Sequence, residues 1–228
     1  MTEPSPSEPT GRSVSTDDTT PWQRLPNTEP IRIRDPLAEL LGMVPEGEPL
    51  SVTFAEVAKA AGHACPAVAG AYRCTQLALS ALNPETLPVR SELAVTVGGD
   101  PDDPGLGPMA SVVRHVTGAA DETGFDGFGG YGGRSGLMTF GEVPGAGRAF
   151  EFRRTDTDEA VRVAFDPSAA GVDPSGGDGP PVDAIPRLIS GDADAAERDA
   201  FLDAWHGRVQ RLLRAEPGAE RPFSVERV

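Results

Sequence analysis

Apolar positions along this chain recur with two periods, and the switches between them outline the fold. Thr53-Phe54-Ala55-Glu56 is a capping box, in which a threonine and a glutamate three residues on satisfy each other's free amides. It predicts a helix running to Gly62, which is placed as a C-terminal glycine. A second helix begins at Cys65-Pro66, proline being favoured at the first helical position, and carries Val68, Tyr72, Leu79 and Leu82 until Asn83-Pro84 stops it. Upstream, Ile31 to Arg34 alternates apolar and basic as a short edge strand does. Asp35-Pro36-Leu37 then opens a brief helix.

Downstream the period changes to two. Glu92 to Val97 alternates and reads as a strand, followed by a turn-rich loop over Asp100 to Pro108 and a short helix from Met109 to Val116, closed by Thr117-Gly118. Three strands follow, Leu137 to Val143, Arg148 to Arg154 and Glu159 to Phe165, the last two joined as a hairpin across Thr155 to Asp158. Asp166 to Pro181 is a Gly/Pro/Asp loop. A final helix runs from about Ala195 to Ala215, with Phe201, Trp205, Val209 and Leu212 at near four-residue spacing. Helices, a strand, a helix, a run of strands and a last helix predict one α+β domain over residues 31–228.

Composition adds a boundary and several exclusions. Met1 to Pro30 is rich in Pro, Ser, Thr and acidic residues, with Trp22 and Leu25 as its large apolar groups, and is expected to be a disordered tail. The chain has 35 Asp+Glu against 20 Lys+Arg, a net charge of -15, which argues against nucleic acid and against an anionic membrane surface as partners. No apolar run approaches the roughly 20 residues of a spanning helix, and the N-terminus lacks the hydrophobic centre of a signal peptide. Two cysteines are too few for a disulfide scaffold. A cytoplasmic protein is the expectation.

Candidate chemistry concentrates in Ala61-Gly62-His63-Ala64-Cys65-Pro66, between the two predicted helices. Cys65 sits where a helix N-terminus places partial positive charge and free N–H groups, which lower a thiol's pKa and favour a nucleophile or soft metal ligand. His63 is spaced to ligate the same ion or to act as the thiol's base. A chance His-x-Cys with a buried structural cysteine is the bland alternative. Cys74, nine residues further on, falls about 900° around the helix and roughly 13 Å along it, so the two cysteines cannot pair. His115 is a weaker candidate from across the fold, with a structural role as its plainer reading. His206 belongs at the rim of the last helix's stripe. The stretch Gly124 to Gly136, with seven glycines in thirteen positions and Phe125, Phe128 and Tyr131 between them, is either a flap or a solvated loop.

The segment Phe54 to Leu82, through Gly62-His63-Ala64-Cys65-Pro66 and Gly70-Ala71-Tyr72-Arg73, resembles the FmdE family, named for a component of formylmethanofuran dehydrogenase. Val112 to Gly118, Arg134 to Val163 and the terminal Pro222-Phe223-Ser224-Val225 agree more loosely. The resemblance implies a thioredoxin-like α+β core with a mixed sheet of about five strands. It also implies a cleft where His63 and Cys65 hold a metal, zinc or iron, or a haem, or do chemistry themselves, with Tyr72, Arg73 and His115 as cofactor-binding residues. Departures are Ala67 in place of the usual glycine, the missing Asp-x-Cys element, and the missing zinc-ribbon cysteines. A third ligand is then sought among Asp100, Asp102, Met109 and His115.

Three functions follow as expectations. The first is a metal- or haem-dependent enzyme acting on a small substrate. The second is a metal-binding or accessory protein without turnover, and the third a metal-free enzyme with Cys65 as nucleophile and His63 as base. Whether the protein is an enzyme stays open. A homodimer is also expected, using the final helix's stripe or the aromatic glycine-rich loop.

Overall fold

Capping chemistry starts each of the first helices. In the computed structural model, which describes Leu25 and residues 28–145, 147–172, 184–218 and 221–228, Asp35 accepts from the amides of Leu37 and Ala38 and opens α1 (Pro36–Leu40). Thr53 and Glu56 form the capping box of α2 (Phe54–Ala60), which ends one residue before Gly62, at Ala61. Cys65 is the N-cap of α3 (Pro66–Leu82). The next helix, α4 (Leu106–Thr117), begins earlier than the sequence implies: Gly105 takes a positive φ of 80° and turns the supposed loop into a first turn, where Pro108 is tolerated. It ends, as expected, on Gly118.

Two strands, β1 (Ile31–Ile33) and β2 (Leu50–Val52), pair antiparallel as a small separate sheet. The main sheet contains β3 (Leu93–Gly98), β4 (Met138–Gly141), β5 (Arg148–Arg154), β6 (Ala160–Phe165) and β7 (Phe223–Arg227), in the order β4-β3-β5-β6-β7. Only β3 and β4 run parallel, so the sheet is mixed. The protein is therefore an α+β fold with a five-stranded mixed sheet flanked by helices. Three of these elements have no counterpart in the sequence reading, the strand β2, the helix α5 (Ile185–Ser190) and the strand β7. Phe223 is the one buried residue of β7, so its sequence carries almost no period-two signal.

The core lies between the sheet and α3. Leu93, Val95 and Val97 alternate inward from β3, and Phe150, Phe152, Val161, Val163 and Phe165 come from β5 and β6. The opposite face carries cross-strand ion pairs instead, Arg162 reaching Glu151 at 3.2 Å and Glu226 at 3.5 Å. The central helix α3 packs on β5, β6 and β7 and against α2, α4 and the long α6 (Ala195–Arg214). Gly70 permits this approach, because a Cβ there would overlap the Phe165 ring.

Leu25 packs on the core, and the Glu29 carbonyl accepts from Gln76 at 2.7 Å and from Tyr72 at 3.4 Å, so this edge of the tail belongs to the folded body. Residues 1–24, including Trp22, and most of the Asp166–Pro181 loop (173–183) lie outside the described residues. No helix among the described residues is long and apolar enough to cross a membrane.

One ionic junction that the sequence did not announce ties distant segments together. Asp35 is buried and pairs with Arg90 at 3.0 Å and Arg134 at 2.6 Å. Arg90 in turn donates to the carbonyls of Val116 and His115, the open end of α4. A helix C-terminus is thus capped by a guanidinium held by another helix's N-cap.

Candidate functional site

Cys65 does face a cleft. The cavity has a volume of about 510 Å3 and gathers the starts of two helices, Cys65 to Ala67 from α3 and Pro104-Gly105 with Met109 from α4. The end of β6 contributes Phe165 and Asp166, the start of β5 contributes Arg148, and α6 contributes Trp205 and Arg208. Apolar surface thus surrounds the thiol, with two guanidiniums at its margins.

The loop bearing Cys65 is fastened from α6. Trp205 donates its indole N–H to the Ala64 carbonyl at 2.7 Å. Phe201 stacks on Trp205 with ring centroids 5.6 Å apart, and the Arg208 guanidinium lies 4.8 Å from the Trp205 ring centre, a cation–π contact. The apolar stripe of the last helix is therefore divided: Val209 and Leu212 enter the core, while Trp205 lines the cleft with Phe201 stacked on it. Residue patterning found the stripe but missed this role. The three-residue spacing of Trp205 and Arg208 is the signal that places a guanidinium beside an indole on one helix face.

The electrostatics of Cys65 differ from the helix-terminus expectation. Burial pushes its thiol above the ordinary value, and the amides of Val68 and Ala67, together with the Arg208 charge, pull it back only in part. The desolvation penalty on the charged form outweighs the favourable amides. Cys65 is a neutral thiol at neutral pH.

The other candidates are dispersed. His63 is exposed, does not line the cleft, and has Nδ1 3.0 Å from the Ala61 carbonyl. A carbonyl only accepts, so Nδ1 is the donor and Nε2 is the nitrogen left without this contact. Tyr72 is fully buried, donating to the Val52 carbonyl at 2.9 Å and packing edge-on against Phe54, and burial pushes its pKa up to about 12. It secures β2 to α3. Arg73 donates to the Ala215 carbonyl at 3.4 Å, contacts Gln76 and pairs loosely with Glu216 at 3.9 Å, which fixes the end of α6. His115 sits near the opposite end of α4 from Met109. Cys74 is buried in the core, its thiol pushed up by desolvation, and both cysteines are free.

Of the proposed third ligands, only Met109 lines the Cys65 cleft. Asp100 and Asp102 lie in the turn before α4, where the Asp100 amide donates to Asp103 at 3.1 Å. Among the described residues, no three His, Cys, Asp or Glu side chains come together as a group able to hold a metal ion. Among the described residues the cleft offers Cys65, Met109 and Asp166 as donor side chains, without the His and Cys set usual at catalytic zinc. No protein-family model matches this chain, and no curated protein matches it.

Proposed function

We propose that the protein binds a small organic acid, an apolar body with an anionic end, in the cleft lined by Cys65. The observation that supports this reading is the cleft's make-up: Met109, Phe165 and Trp205 provide apolar wall and the thiol lies among them, while the guanidiniums of Arg148, which also pairs with Asp103 at 3.6 Å, and of Arg208 outnumber the one carboxylate of the lining, Asp166. The backbone amides that begin α3 add to the preference for an anion. Cys65 acts here as the group in contact with the ligand, and the buried thiol becomes a nucleophile only when something in the cleft stabilises its thiolate. Titrating octanoate and octylamine while following tryptophan fluorescence tests the reading. The acid is expected to bind saturably and the amine not to. Equal response to both, or none to octanoate, contradicts it.

A second reading keeps the metal- or haem-dependent enzyme. It is favoured by His63, whose Nδ1–H donates to the Ala61 carbonyl, the contact that orients the ring with Nε2 as the nitrogen for a ligand or general base. On this reading His63 and Cys65 supply two ligands, and the remainder come from the bound group or the substrate. Metal analysis and an absorption spectrum of the purified protein decide between the two: stoichiometric metal or a Soret band, lost in Cys65→Ala, supports this second reading. Membership of the FmdE family, a thioredoxin-like core and a cytoplasmic location belong to the same proposal. So does the homodimer, with exposed Leu40, Leu41 and Met43 and the aromatics of the glycine-rich stretch as its contact.

A further inference from the structure

The end of α4 away from the Cys65 cleft borders a second hollow, of about 380 Å3, walled by Arg90, Arg114, Arg134, His115 and Phe125. Its three guanidiniums are held unequally. Arg90 is committed to Asp35 and to the carbonyls of His115 and Val116, with contacts of 2.8 to 3.0 Å. Arg134 gives one terminal nitrogen to Asp35 at 2.6 Å, but its Nε–H is buried with no hydrogen-bond acceptor. Such a group costs free energy unless something fills the space in front of it. Arg114 is half exposed and reaches Thr123 Oγ1 only at 3.4 and 3.5 Å and Asp121 at 3.9 Å.

Charge points the same way. Among the described residues the carboxylates pairing with these three arginines are Asp35 and Asp121, which leaves one positive charge in excess. Asp121 is itself turned toward Thr123, whose amide and hydroxyl it accepts at 2.9 and 2.6 Å. Burial lowers the pKa of His115, Arg90 lowers it further, and Glu56 opposes.

The hollow is also built firmly. Gly118 ends α4 at φ 76°, and a Cβ there would lie 3.1 Å from the Arg134 side chain, so the glycine lets that side chain cross the helix end. The Arg134 amide donates to Phe125 at 2.7 Å, and the Ala120 amide donates to Arg134 at 3.0 Å, which fixes both walls of the glycine-rich stretch.

We propose that this hollow binds the oxyanion of a small molecule, a phosphate or a carboxylate, between the guanidiniums of Arg114 and Arg134, with Phe125 against the remainder of the ligand. Forked guanidinium donors suit the paired oxygens of either group. The site is separate from the Cys65 cleft and stands or falls independently of it.

The test uses the full chain at low ionic strength, titrated with inorganic phosphate and, separately, with sodium acetate at constant pH. Calorimetry reads affinity, and proton NMR reads the ring signals of the three histidines. At least one anion is expected to bind saturably, to shift the His115 signals and to leave those of His63 in place. Phosphate alone marks the ligand as a phosphate ester, acetate alone as a carboxylate. Arg114→Gln should weaken binding about tenfold or more, the effect of losing one charge-assisted contact, without changing the thermal midpoint. Cys65→Ser should leave it unchanged. If neither anion moves His115 saturably, or Arg114→Gln binds as the parent does, the proposal is overturned.

Discussion

Trp205 donates its indole N–H to the carbonyl of Ala64, 141 positions earlier in the chain and next to Cys65. One side chain of α6 thereby fastens the loop that leads into α3 and carries the thiol. Trp205→Phe keeps a ring in the cleft wall but leaves that carbonyl without its donor, a loss of about 1–3 kcal/mol where the group stays buried. The variant is expected to have a lower thermal midpoint and faster alkylation of Cys65. Unchanged alkylation would mean that Trp205 does not govern the thiol's access.

The reactivity of Cys65 carries the sign of its raised pKa. A thiol shifted upward is protonated at neutral pH, so its rate with iodoacetamide should be low there and keep climbing past the pH at which a free cysteine levels off. Removing the nearby charge in Arg208→Gln should push the inflection higher still. Cys74 should label only on unfolding, since it is buried in the core. A rate that levels off below the free-cysteine value would show an activated thiolate instead.

Asp35 makes acid stability a local property. Burial alone would raise its pKa, but the charge of Arg134 and the hydrogen bond from Arg90 outweigh that and hold it below the ordinary carboxylate value. Because the folded value is the depressed one, the stabilisation is complete above the ordinary range and is lost as pH falls through the folded value. Asp35→Ala leaves two arginines facing each other and removes the N-cap of α1, at a cost of about 3–5 kcal/mol by analogy with other broken buried pairs. Urea denaturation across the acid range checks this: the parent's stability should drop steeply below about pH 4, and the variant's less so.

Close packing at Gly70 predicts a different failure. Gly70→Ala drives a methyl into the Phe165 ring, so α3 or β6 must shift, at about 1–3 kcal/mol as for other overpacked cores. Phe165 also lines the Cys65 cleft, so the same variant should weaken octanoate binding. A thermal melt paired with a fluorescence titration separates the two effects.

Local chemistry made most elements legible in the sequence. The capping box at Thr53, the Cys65-Pro66 start, the Asn83 stop and the alternation of β3 are rules acting within a few residues, and each appears where expected, as do the strands β5 and β6. The site was legible only in part. Spacing placed Cys65 at a helix start, but whether burial or helix amides win at its sulfur depends on Trp205 and Met109, which arrive from other elements. His63 and Cys65, two residues apart, differ in exposure because the turn at Gly62, with φ 77°, leaves the imidazole outside. Tyr72 and Arg73 have structural partners, Val52 and Ala215, that no helical periodicity could name.

The most direct measurement of the central claim is protection of Cys65. Alkylation by iodoacetamide, followed by mass spectrometry at fixed pH with increasing octanoate, asks whether the thiol and the acid share one cleft. Saturable slowing of Cys65 labelling, with the same half-saturation as the tryptophan fluorescence change, is the predicted result. Octanoate that binds without slowing the alkylation of Cys65 would contradict it.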